Sequence, residues 1–214
     1  MKWTLLGALV ALPLIAACST TSDSRPEPTA TSPPAATAEA ASSSGPGVVA
    51  GRTPTSGNQP AIVVLQPRTP VDVPQAAPPV MDQVALTFIP GVLVVRTGHP
   101  VEFRNSDDQL HNVRVNEFAT KAGTFNVAIP MGEDYRFTFD REGFYDVGCD
   151  IHPAMSATIY ASASPYAALT DLSGQFEIHD VPRGSYNAIV FAGAERLERA
   201  VEVAAARTDI DFTK

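Results

Sequence analysis

Cysteine is nearly missing from this 214-residue chain: there are two, Cys18 and Cys149. That count excludes a disulfide-stapled scaffold. Basic residues are also few, 15 Lys and Arg against 23 Asp and Glu, for a formal charge of −8, and they are scattered. Nucleic acid is therefore not an expected partner; the acidic balance serves solubility and is compatible with a basic protein surface. There is no Gly-rich phosphate loop, no nucleophile elbow and no convincing pair of catalytic carboxylates. Nucleotide binding and hydrolase chemistry are left without machinery. Beyond the N-terminus, no apolar run is long enough to cross a bilayer.

What is present begins at that N-terminus. Met1-Lys2 is a short basic start, Leu5 to Ile15 is apolar, and small residues precede Cys18. This is the layout of an export signal. Ile15-Ala16-Ala17-Cys18 resembles the lipobox of bacterial lipoproteins, which implies a signal peptide over 1–17 and lipidation of Cys18. Ser19 then implies the periplasmic side of the outer membrane if the cell is Gram-negative. Membrane attachment is expected through lipid alone. Residues 18–59 are rich in Ser, Thr, Pro, Ala and Gly, and bury too little apolar surface to fold, so a disordered tether is expected.

The remainder reads as β-structure. Ala61-Ile62-Val63-Val64-Leu65 is a short apolar strand, and residues 60–80 form it together with a Pro-rich lead-in. From Met81 the apolar residues alternate, with turn residues at short intervals, as in a sandwich or barrel. The last segment, 163–214, also alternates, although Glu195 to Ala206 could form helix on composition. About 50 residues make a marginal core, so this module is expected to pack on its neighbour.

Chemistry concentrates in Cys149-Asp150-Ile151-His152-Pro153-Ala154-Met155, with His111 upstream. One thiolate, two imidazoles and a thioether are the donors of a blue-copper site, a His2Cys plane with a weak axial Met. Strand phase agrees. His111, Val113 and Val115 share a face, as do Tyr145, Val147 and Cys149, and Met155, Ala157 and Ile159. If Cys18 carries lipid, Cys149 has no partner in the chain, and metal ligation accounts for a lone thiol in an oxidising compartment. Zinc also takes Cys and His, but the Met donor argues against it. His99 and His179 read as surface residues, and Asp171 with Gly174 as a turn. Four histidines cannot supply the His-x-His pairs of a multicopper oxidase.

These residues resemble the small blue copper proteins, the cupredoxins, and among them the amicyanin and plastocyanin kinds. The resemblance spans 81–162 through Phe88-Ile89-Pro90, Val101-Glu102-Phe103-Arg104-Asn105, His111-Asn112-Val113, Gly143-Phe144-Tyr145 and Cys149-x-x-His152-Pro153-x-Met155. It implies an all-β Greek-key cupredoxin sandwich holding one type 1 copper. His111, Cys149 and His152 would be equatorial ligands, Met155 the axial one, and Asn112 a brace for the ligand loop. Asp150, beside Cys149, departs from the pattern and would lower the potential. The segment 163–214 resembles carboxypeptidase regulatory-like (transthyretin-like) modules through Thr170-Asp171-x-x-Gly174-x-Phe176 and Val181-Pro182-x-Gly184-x-Tyr186.

The expected function is one-electron transfer in the bacterial cell envelope, without bond-making catalysis. The partner would be a redox protein such as a cytochrome or dehydrogenase. Two other readings stay open: copper storage or delivery, and a cell-surface interaction module with a structural or vestigial metal. A storage role favours open, Met-rich ligand sets, and this chain has four Met.

Overall fold

The computed structural model describes residues 45–71, 73–75 and 77–214. The expected signal peptide, Cys18 and the expected tether as far as residue 44 lie outside the described residues. Among the described residues every regular element is a strand. Two strands come first, β1 (Gly47–Arg52) and β2 (Ile62–Pro67). The central part supplies β3 (Val80–Val84), β4 (Thr87–Ile89), β5 (Val92–Arg96), β6 (Pro100–Asn105) and β7 (His111–Glu117). It continues with β8 (Gly123–Ile129), β9 (Asp134–Thr138), β10 (Gly143–Gly148) and β11 (Ser156–Ser162). The chain ends with β12 (Ala167–Leu169), β13 (Gln175–Val181), β14 (Gly184–Ala192), β15 (Glu195–Val203) and β16 (Arg207–Asp211).

The central strands make two facing sheets, in the orders β5-β11-β10-β7-β8 and β4-β3-β6-β9. Period-2 alternation turns Met81, Phe88, Val101, Phe103, Val113, Val115, Tyr145, Val147 and Ile159 into one core between them. Cys149 and Met155 belong to that same core. The fold is thus the expected β-sandwich with an appended β module.

The appended module is not confined to 163–214. Its two sheets run β13-β1-β16 and β12-β2-β14-β15, so strands from before and after the central sandwich close one common core. The central sandwich is an insertion between β2 and β12. The tether expected to reach residue 59 therefore overlaps a strand, since β1 occupies Gly47–Arg52 and pairs with both β13 and β16. Its small residues are required rather than incidental. A Cβ on Gly51 would lie 1.9 Å from the Ile210 carbonyl oxygen, and one on Gly47 2.8 Å from that of Ala205. The helix considered for Glu195 to Ala206 is instead β15, paired with β14 along its whole length. A two-residue turn with Gly193 at φ 60° joins them, a geometry that suits a tight hairpin.

The run Ile62-Val63-Val64-Leu65 is apolar without alternation because β2 is covered on both faces. Val63 and Leu65 enter the module core. Ile62 and Val64 face Tyr160 and Ile189 in a third cluster, with Phe144 and Phe191 packed against it. Phe144, Tyr160 and Phe191 stack with ring centroids 4.8–5.2 Å apart. This apolar layer joins the outer face of the five-stranded sheet to the four-stranded sheet of the module.

Candidate metal centre

β7 and β10 lie side by side, with Val115 opposite Val147. Their pairing brings the first residue of β7, His111, to the residue that follows β10, Cys149. His111 is fully buried and Cys149 is 2% exposed. The loop from Cys149 to Met155 then closes on itself. The His152 carbonyl accepts the Met155 N–H at 2.9 Å, and the Met155 carbonyl accepts the Cys149 N–H at 3.3 Å. The His152 N–H points at the Cys149 Sγ, 3.4 Å away. His152 is half-buried, Pro153 and Ala154 are exposed, and Met155 is buried again.

Three donor atoms converge. Cys149 Sγ lies 3.9 Å from His111 Nδ1 and 3.9 Å from His152 Nδ1, and the two nitrogens are 2.9 Å apart. The circle through those three atoms has a radius of about 2.1 Å, matching the roughly 2.0–2.3 Å bonds that nitrogen and sulfur ligands make to a metal ion. Two ring nitrogens that close need a proton or a cation between them. The soft thiol beside two imidazoles is the donor mixture that copper takes. Met155 is buried in the same core three residues after His152.

Asn112 is the next residue of β7, and alternation turns it away from the core. It is nevertheless only 6% exposed, because the ligand loop folds over it. Its Oδ1 accepts the N–H groups of Asp150 at 2.7 Å and Ile151 at 3.3 Å, and lies 3.3 Å from the Cys149 thiol. Its Nδ2 donates to Asn126 Oδ1 at 2.8 Å and Asp150 Oδ2 at 3.2 Å. The charge of Asp150 is shared: Asn126 donates to Oδ2, and Arg114 pairs with Oδ1 at 2.8 Å. Asp150 is thus a partner of β7 and β8 more than a bare charge beside Cys149.

On the far side of the His111 ring, Nε2 lies 2.8 Å from Asp107 Oδ2. Asp107 Oδ1 accepts the Ala85 N–H at 2.5 Å, and Oδ2 also accepts the Leu86 N–H at 3.0 Å. The Leu86 amide foremost, with the His111 ring and the Ala85 amide, holds the Asp107 carboxyl below its usual range against the cost of desolvation.

Three of the expected donors, on His111, Cys149 and His152, therefore converge at one end of the sandwich, and Met155 is buried in the same core. His99, whose Nδ1 faces the Thr97 carbonyl, and exposed His179, beside Glu177, stand apart from it. Asp107, Arg114 and Asn126 are additions. Asp107 stands in the polar stretch Asn105-Ser106-Asp107-Asp108 before β7, and Asn126 reaches the site through the β7–β8 register, which places it opposite Arg114.

Residues 78–161 match the copper binding proteins of the plastocyanin/azurin family. That segment resembles a cupredoxin domain, and the match covers less than half of the chain. Solved structures similar to the chain include a reduced, Cu(I) amicyanin mutant at 22% identity, covering 47% of this chain and 98% of that one, with a TM-score of 0.37. Amicyanin from Paracoccus versutus is alike at 22% identity, 47% and 97% coverage and a TM-score of 0.37. A copper-containing nitrite reductase from Thermus scotoductus is 30% identical over 44% of this chain and 25% of its own, with a TM-score of 0.38. No curated protein matches the chain. The His-Cys-His cluster fits a single copper ion.

Proposed function

We propose that this protein is a one-electron carrier of the bacterial cell envelope with one type 1 copper. The observation that carries the reading is the triangle of two Nδ1 atoms and one Sγ, set between two packed sheets. His111, Cys149 and His152 would hold the metal equatorially and Met155 axially. Copper bound there supplies one-electron chemistry, Cu(I) to Cu(II) and back.

The chain's own residues supply what such a carrier needs. His111 and Cys149 are shut off from water, and Asn112 ties the loop to β7, so the donor positions vary little with the charge they hold. His152 is the donor that reaches the surface, and it offers the way in and out. A storage or delivery protein needs exchangeable ligands, and two fully enclosed donors weigh against that role. Bond-making catalysis is not part of this reading. The motif ending at Cys18 supports export and lipid anchoring, on the periplasmic side of the outer membrane in a Gram-negative cell. The partner would be another redox protein, such as a cytochrome or dehydrogenase.

The test is optical. The full chain loaded with Cu(II) should turn intensely blue through charge transfer from the Cys149 thiolate, and Cys149→Ser should remove the colour. A pale wild-type protein with an ordinary tetragonal Cu(II) resonance spectrum would overturn the proposal.

A further inference from the structure

We propose that Asp107 is a positioning residue for His111: it fixes which ring nitrogen faces the metal and makes that nitrogen a stronger donor. The inference rests on the copper reading above.

The geometry leaves His111 little choice. The ring is fully buried, so each nitrogen needs a partner within the protein. Nδ1 faces Cys149 Sγ and His152 Nδ1, and Nε2 faces the Asp107 carboxylate. An ionised carboxylate only accepts, so the hydrogen sits on Nε2. In the neutral ring, Nδ1 is then a bare lone pair aimed at the centre of the donor triangle. A carboxylate behind a ligating imidazole also raises the basicity of the ligating nitrogen.

Asp107 is built in rather than loosely placed. Its two oxygens are held by the amides of Ala85 and Leu86, which sit at φ 51° and 60° in the β3–β4 turn. Its own N–H donates to Asn105 Oδ1 at 3.0 Å. Asn105 is fully buried, and its Nδ2 donates to the carbonyls of Gln109 and Ile129, both at 2.8 Å. Gln109 stands two residues before His111, and Ile129 is the strand partner of His111. The Ala85-Leu86 turn therefore holds the carboxylate, the Asn105 network holds the backbone of Asp107, and the carboxylate also bonds the ligand ring. The contrast with Asp150 is informative. Asp150 spends its charge on Arg114 at the surface, whereas Asp107 directs its charge through His111.

The consequence concerns both affinity and redox balance. An Nδ1 held toward the metal by the carboxylate behind the ring binds metal more tightly and favours the more highly charged Cu(II) over Cu(I). Removing the carboxylate should therefore weaken metal binding by about 10- to 100-fold and raise the reduction potential.

The experiment compares the wild-type chain with Asp107→Asn and with Asp108→Asn, which removes an equal charge one residue away. The first readout needs neither copper nor a variant: nitrogen NMR of the metal-free wild type at neutral pH. His111 should carry its hydrogen on Nε2, in slow exchange with water. A hydrogen on Nδ1 would overturn the proposal, and so would an Nε2 hydrogen in fast exchange. The second readout is Zn(II) and Cu(I) affinity by chelator competition, and the third is the potential by voltammetry. Asp107→Asn should lose affinity and gain potential, while Asp108→Asn should change both far less. Equal changes in the two variants would show that only nearby charge matters. If Asp107→Asn fails to fold, the wild-type NMR result still decides. Should the wild-type protein bind Cu(II) without turning blue, the electron-carrier reading fails, and the tautomer and Zn(II) affinity still settle the part played by Asp107.

Discussion

Asn112 Oδ1 accepts the N–H of Asp150 at 2.7 Å, a bond that fastens the loop after Cys149 to the strand that begins at His111. The same oxygen takes the Ile151 N–H, so one buried amide serves two amides of the loop. Removing it leaves donors near the site without a partner. We expect Asn112→Ala to destabilise the metal-free protein by about 1–3 kcal/mol, the usual cost of a buried group left unsatisfied. It should also speed copper loss, because the Cys149 and His152 donors are no longer held in one arrangement. Urea unfolding of the metal-free chain and a chelator-driven off-rate measure the two effects. A stability change near zero would mean that water replaces the amide and that the loop holds itself.

Gly51 tests the discontinuous module. Its Cα packs against the backbone of β16, where an added methyl would lie 1.9 Å from the Ile210 carbonyl oxygen. The neighbour is backbone and cannot swing aside. Gly51→Ala should cost at least the upper part of the ~1–3 kcal/mol range of overpacked sites. The apolar layer of Ile62, Val64, Tyr160 and Ile189 couples the two sandwiches. Both should therefore melt in one transition at a lower temperature. Calorimetry that shows the central sandwich melting separately, unshifted, would refute that coupling.

Much of this arrangement can be read from residue order, and the exceptions have physical causes. The ligand loop is local, so Cys149, His152 and Met155 fall within seven residues. The phase of β7 alone points His111 and Val113 inward. β1 is different. Gly47-Val48-Val49-Ala50-Gly51 has small residues because it is squeezed between β13 and β16, and small residues look like linker composition. β15 carries Glu and Arg, good helix formers, on its outer face, and only pairing with β14 overrides that preference. Asp107 could not be paired with His111 from sequence, since its orientation depends on the Ala85-Leu86 turn, a distant hairpin.

Met155 offers a test of the axial ligand. It is buried beside the ligand loop and hydrogen-bonded through its backbone to both Cys149 and His152. Replacing it by Leu keeps volume and burial, so the loop should keep its shape. The thioether's donation to Cu(II) is lost, and the reduction potential should rise with the blue colour retained. Voltammetry decides: an unchanged potential would mean that Met155 serves only as packing.

The surface near His152 is where a partner is expected to dock. Pro153 and Ala154 are exposed next to the half-buried ring. At the His111 end of the β7–β8 pair, Leu110 is 49% and Met131 60% exposed, both large and apolar. Small apolar surfaces of this kind suit brief encounters of low buried area. A charge placed two residues after His152 should hinder close approach without touching the donors. We therefore expect Ala154→Glu to slow electron self-exchange while leaving the visible spectrum nearly intact. High ionic strength is the condition of choice, since it screens the long-range repulsion between molecules of net charge −8. Under that screening, a difference between wild type and variant reports the contact itself. Equal rates would remove the His152 end as the port and leave the apolar side chains there without a role in exchange.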